Sequence, residues 1–149
     1  MDAALKNHHF VPYLQPKLNL KNGCVTGAEA LVRWIDPDDG IMQPKDFIPI
    51  MEKTEFILKV DMFIFEECCK LIRRWIDHGI NPIRISSNFS RLHLKSDHFI
   101  EDLLYITEKY DISPCYLEIE LTETIVFEDL NRINKIDTAL REAGFLFSI

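Results

Sequence analysis

Apolar residues alternate with polar ones in several short stretches of the chain and recur every third or fourth position between them, a pattern of strands interleaved with helices. Phe10 to Leu20 and Cys24 to Trp34 predict two strands, and Asn22-Gly23 between them is a hairpin signal that sets the first antiparallel to the second. Asp36-Pro37-Asp38-Asp39-Gly40 predicts a loop. A short helix is expected around Lys45 to Thr54. A longer one should run from about Leu58 to Asp77, where Phe65, Cys69, Ile72 and Ile76 keep helical spacing and Gly79 supplies the C-terminal cap. There follow strand Ile83 to Asn88, helix Asp97 to Tyr110 with Ser96 as N-cap, strand Tyr116 to Leu121, helix Glu128 to Ala143 closed by Gly144, and an apolar strand Phe145 to Ile149. This order is that of an α/β fold.

On three of these strands one face turns polar. In Gly27-Ala28-Glu29-Ala30-Leu31-Val32-Arg33-Trp34, alternation sets Gly27, Glu29, Leu31 and Arg33 on one side and Ala28, Ala30, Val32 and Trp34 on the other. Arg84, Ser86 and Asn88 form the polar face of the next such strand. Glu118, Glu120 and Thr122 form that of the third, opposite Leu117, Ile119 and Leu121. A buried carboxylate is costly unless a cation or hydrogen-bond donors satisfy it, so Glu29 demands a partner. Glu29, Asn88 and Glu120 would each bring an oxygen from the far end of a strand, the rim at which barrel active sites gather. Carboxylate and amide oxygens without His or Cys suit a hard cation such as Mg²⁺, Mn²⁺ or Ca²⁺ rather than zinc.

Five short motifs carry a resemblance: Leu14-Gln15-Pro16, Glu29-Ala30-Leu31 with Arg33, Phe47-Ile48-Pro49, Asn88-Phe89-Ser90 and Glu120-Leu121-Thr122-Glu123. In this order and spacing the chain resembles the EAL-domain phosphodiesterases, which hydrolyse the bacterial messenger cyclic di-GMP. The resemblance runs from about Phe10 to Ile149. It implies a partial TIM-like (β/α)8 barrel with an antiparallel first strand, about five of the eight strands being present. Residues 1–9 then read as an N-terminal extension or linker remnant and residues 10–149 as a truncated EAL domain.

By the same resemblance Glu29, Asn88 and Glu120 are metal ligands, with Glu29 and Glu120 the catalytic acids. Arg33 contacts a substrate phosphate, Gln15 lies beside the substrate, and Glu123 steadies the loop bearing the family's next motif. Mg²⁺ or Mn²⁺ is the implied cofactor, with Ca²⁺ a candidate inhibitor. Leu14 stands where Tyr is common and Phe89 where Leu is usual. Gly144 to Ile149 is similar to the strand leading into the family's Asp-Asp-Phe-Gly motif, and the chain stops before that Asp pair; the family's later Lys, its second catalytic-region Glu and the final strands lie beyond. The expectation is the N-terminal part of an enzyme that opens cyclic di-GMP to the linear dinucleotide by metal-assisted hydrolysis, inactive by itself.

Length agrees, since 149 residues fall short of the ~250 of a complete barrel. The balance of 17 basic and 24 acidic residues gives −7, a poor surface for nucleic-acid polymers. No apolar run approaches the ~20 residues of a membrane span, and Met1 to His9 has no signal-peptide core, so a cytoplasmic location is expected. Cys24, Cys68, Cys69 and Cys115 show no Cys-x-x-Cys spacing, and the adjacent pair reads as core. His8 and His9 are expected in a frayed terminus. His78, His93 and His98 are expected in surface or capping roles at a helix end, a loop and a helix start.

Each candidate also has a structural reading. Glu29 alone would be a salt-bridged acid paired with Lys17 or Arg84, and the resemblance is what turns it into a ligand. Arg33 alone is an ion-pair Arg, Asn88 a strand terminator and Gln15 part of a hydrogen-bond network. Glu118 is expected to bond Arg84 or Ser86. Against the enzyme reading stand a module that binds cyclic di-GMP without cleaving it and a protein acting through contacts alone. The apolar strand at Phe145 to Ile149 would be an open sheet edge, so a homo-oligomer or domain-swapped dimer is expected.

Overall fold

The computed structural model describes residues 1–121 and 130–149. A short helix α1 (Asp2–Lys6) leads into β1 (Phe10–Leu18), β2 (Val25–Asp36) and β3 (Gly40–Met42). Then come α2 (Pro44–Lys53), α3 (Ile57–Asp77), β4 (Arg84–Phe89), a 3₁₀ turn over Arg91–Lys95, α4 (Phe99–Lys109), β5 (Leu117–Leu121), α5 (Leu130–Glu142) and β6 (Leu146–Ser148). The strands form one sheet in the order β1-β2-β4-β5-β6, with β3 attached to β2 beside that path. The β1/β2 pair is antiparallel and the β2/β4, β4/β5 and β5/β6 pairs are parallel. This is the α/β architecture with an antiparallel first strand that the sequence predicts.

The helices cover one face of the sheet. In α3, Val60, Ile64, Phe65, Cys68, Cys69 and Ile72 make a buried stripe at helical spacing. Against it lie the outward residues Ala30, Ile85, Phe89, Leu117, Ile119 and Leu121, all buried. Phe65 is fully enclosed, its ring 5.8 Å from Phe89 and 6.3 Å from Phe145. Truncating such a side chain costs ~3–5 kcal/mol. Gly79, at φ +69°, ends α3 in a left-handed turn where the Gly79 amide donates to Ile76 O at 3.0 Å and the Ile80 amide to Trp75 O at 2.9 Å.

Several expectations change. The predicted loop at Asp36 is a tight turn that starts a further strand: Asp36 Oδ1 accepts from the amides of Asp38 and Asp39 at 2.9 and 3.1 Å, and the chain returns to pair Asp36 with Gly40. Ser96 does not cap a helix at Asp97. Its Oγ accepts from the His98 amide at 3.2 Å, and α4 begins at Phe99. The first residues are helical rather than frayed: Ala4 is buried, and the His8 ring lies 5.5 Å from Phe63. The helix predicted from Glu128 is seen as Leu130–Glu142, its first two residues lying outside the described ones. No helix among the described residues is long and apolar enough to cross a membrane.

Candidate active site on the inner face of the sheet

Residues paired across neighbouring strands share a face, so register alone locates the polar set. Gln15 lies opposite Glu29, Glu29 level with Ser86, Ser86 with Glu118, Asn88 with Glu120, and Glu120 with Ser148. All of these project to the side away from the helices. Periodicity puts Glu29, Asn88 and Glu120 each on the polar face of its strand, and the register joins those faces and adds Gln15 to them.

Two contacts organise that face. Asn88 Nδ2 donates to Glu29 Oε1 at 2.9 Å. Lys17 Nζ donates to Glu120 Oε1 at 2.6 Å as an ion pair, its own side chain 41% exposed and that of Glu120 20%. Partial burial works to lower the Lys17 pKa, yet the hydrogen bond and charge of Glu120, with Glu118 and Glu29 adding, outweigh it and hold the ammonium above its ordinary value. In a flat sheet β1 and β5 would stand ~14 Å apart, three strand spacings, so the Lys17 to Glu120 contact reports a sheet curled towards a barrel.

Arg33 lies towards the C-terminal end of β2, its Nη1 donating to Val32 O at 2.8 Å and its guanidinium 5.8 Å from the Tyr13 ring centre. Gln15 is exposed. Lys17, weighed as a partner for Glu29, serves Glu120 instead. Ser86 Oγ is buried without a hydrogen-bond partner among the described residues, so the bond expected between Glu118 and Ser86 is not made. The charge of Glu118 acts instead on Lys17, whose pKa it helps to raise. Glu123 lies outside the described residues.

Among the described residues, no three of His, Cys, Asp and Glu cluster closely enough to hold a metal. The oxygen donors of the inner face are instead held in two pairs, Glu29 with Asn88 and Glu120 with Lys17. Both carboxylates are thus met by N–H donors, and the donor chemistry of the set, two carboxylates and an amide, fits a hard divalent ion.

The family model described as EAL domain matches residues 1–149. The chain belongs to the EAL domain family. It is 34% identical over 146 residues to the signaling protein YkoW of Bacillus subtilis, covering 98% of this chain and 18% of that protein. It is 31% identical over 130 residues to the cyclic di-GMP phosphodiesterase PA2567 of Pseudomonas aeruginosa, covering 87% of this chain and 22% of the relative. Among solved structures, the PaMucR phosphodiesterase in complex with c-di-GMP superposes with a TM-score of 0.91 at 30% identity, covering 99% of this chain and 60% of that one. The EAL chain therefore spans about a fifth of these curated relatives and part of the solved domain.

Behind the inner face, the EAL chain holds a second polar group that periodicity missed. Asp61 sits in the buried stripe of α3, where Oδ2 accepts from the Ser90 amide at 2.8 Å and faces His93 Nε2 at 3.2 Å. His93 is 5% exposed, which corrects its expected surface role. The 3₁₀ turn after β4 folds its imidazole inward, with its ring centre 4.7 Å from that of Phe99 and 5.2 Å from that of Phe89. Burial raises the Asp61 carboxyl above the usual carboxylate range, against the His93 and Ser90 hydrogen bonds that pull it down. A cavity of about 140 Å³ adjoins the group, lined by Ile48, Glu52, Asp61, Ile64, Asn88 and Ser90 among others. The available signal was an acid at a position where α3 spacing, with Ile57, Phe65 and Cys68, demands an apolar residue.

Proposed function

We propose that this chain supplies the Glu29, Asn88 and Glu120 side of a cyclic di-GMP phosphodiesterase site. The observation that carries the reading is the shared inner face, on which three strands present two carboxylates and an amide, Asn88 level with Glu120 and hydrogen-bonded to Glu29, while the apolar face is spent on the helices. The phosphodiesterase names of its relatives and the c-di-GMP complex of a close structural neighbour support it.

EAL phosphodiesterases depend on divalent metals in general, and the donors here favour Mg²⁺ or Mn²⁺, with Ca²⁺ as a non-productive competitor. Glu29, Asn88 and Glu120 would hold the ion, which when bound polarises a phosphodiester oxygen and acidifies a water. For this, Asn88 turns its amide oxygen inward and Lys17 yields Glu120. Arg33 offers a planar fork of N–H donors to a phosphate at the rim, and Gln15 hydrogen-bonds the nucleotide beside Glu29. Glu123 is assigned to steadying the adjoining loop. We place the protein in the cytoplasm, and treat residues 1–9 as an extension of the domain at 10–149.

Calorimetric titration of Mn²⁺, then of cyclic di-GMP, tests the reading, with Glu29→Ala as control. Binding that the variant loses is the expected result. Absence of heat from the wild-type chain would sink the assignment. A second reading, binding without turnover, is favoured by the Lys17 ammonium that already occupies Glu120 at 2.6 Å. Chromatography of the nucleotide after incubation with Mn²⁺ separates the two, because only turnover yields the linear dinucleotide.

A further inference from the structure

We propose that Asp61 is a positioning residue for Asn88, fixing the end of β4 from the helix side through the Ser90 amide and the His93 imidazole. The inference rests on the metal-site reading for its consequence but not for its geometry. Asp61 is 8% exposed on the inward stripe of α3, where a carboxylate is costly and an aliphatic residue would pack at less expense. What the carboxylate alone provides is an acceptor. Ser90, 4% exposed and just past the last residue of β4, donates its amide to Asp61 Oδ2 at 2.8 Å, and His93 Nε2 faces the same oxygen at 3.2 Å.

Ser90 is held on further sides. Its Oγ donates to Glu52 Oε1 of α2 and accepts from the Leu92 amide, both at 3.4 Å. The residue two positions after Asn88 is therefore pinned by α2, α3 and the following 3₁₀ turn. Asn88 lies between these pins and the parallel ladder, where it pairs with Glu120, and from there its side chain reaches Glu29 at 2.9 Å. Releasing Asp61 frees the strand end that aims Asn88.

The experiment compares Asp61→Leu, Asp61→Asn and a core control, Ile72→Val, in the whole chain; Ile72 is buried on the same stripe of α3, eleven residues beyond Asp61. Nitrogen-15 NMR would follow the Asn88 side-chain amide signals and exchange at the Ser90 amide, without metal. Calorimetry would follow Mn²⁺ affinity. Loss of a charge-assisted hydrogen bond in Asp61→Leu is expected to speed Ser90 amide exchange about tenfold or more and to weaken Mn²⁺ binding about tenfold, with the Asn88 signals displaced. Asp61→Asn keeps an acceptor oxygen and should displace the same signals less. Ile72→Val should lower thermal stability and leave the Asn88 signals in place.

Asn88 signals that are unmoved by both Asp61 variants, or moved equally by Ile72→Val, overturn the proposal. If Asp61→Leu does not fold, Asp61→Asn decides by the same signals. Failure of the wild-type chain to bind Mn²⁺ would strike the metal reading alone, since the Asn88 and Ser90 signals are read in its absence.

Discussion

Glu120 already holds a cation, and that cation belongs to the protein. Lys17 Nζ sits 2.6 Å from the carboxylate, so a divalent ion arriving at Glu120 must displace an ammonium first. Partly exposed pairs of this kind contribute ~0.2–1 kcal/mol, so Lys17→Met is expected to tighten Mn²⁺ binding up to about fivefold by calorimetry. Weaker binding would show instead that the lysine supports the ligand geometry. That Glu29 and Asn88 stand on the polar faces of their strands was legible because strand alternation needs only neighbours in sequence. The Lys17 to Glu120 pair was not, because it joins β1 to β5 across 103 positions, through a curvature that no local pattern encodes. The same limit hid His93, whose burial follows from the 3₁₀ turn after Ser90 and from an acid on a different helix.

The elements carry the site by how closely they approach. β2 and β4 come together at Gly27, where an added Cβ would lie 3.0 Å from the Arg84 carbonyl oxygen. Gly27→Ala should push the strands apart by a few tenths of an ångström and, as overpacking does, cost ~1–3 kcal/mol in urea unfolding. Because Glu29 is two residues further on the same strand, Mn²⁺ affinity should fall with it. Gly79→Ala makes the contrast. That position needs φ +69° and a Cβ there meets nothing, so conformational strain alone should cost ~1 kcal/mol while metal binding stays unchanged. A variant pair that lost affinity equally would mean that stability, not strand spacing, governs the site. The long helix and the central strands were legible because ten or more residues, or flanking glycines, signal together. β3 was not: its three residues exist because the Asp36 side chain closes the turn ahead of them.

At the scale of the whole molecule, the sheet is curled, covered by helices outside and polar inside. Cys68 and Cys69 are buried under α3 as the sequence suggested, while Cys24 and Cys115 are exposed. Burial pushes the Cys68 thiol up to about 12. A raised folded-state pKa means that the unfolded chain releases the proton first, so this contribution is full below pH ~9 and stability should fall as pH climbs from there towards 12. Urea midpoints measured between pH 8 and 11 would register the decline, and a flat profile would contradict such burial. The sheet's other global feature is its two margins. β1 is stiffened by Pro12 and Pro16, residues that cannot donate to another strand. β6 is short, pairs with β5 through Leu146, Phe147 and Ser148, and carries no charge of its own. In the 149-residue chain taken by itself such an uncharged margin is open to a further strand, and with −7 net charge opposing general aggregation we propose that two β6 margins pair. Sedimentation of the chain should show a concentration-dependent dimer, and Leu146→Lys, which puts a charge on the inner face at that margin, should shift it to monomer. A dimer that survives Leu146→Lys would have to be built elsewhere.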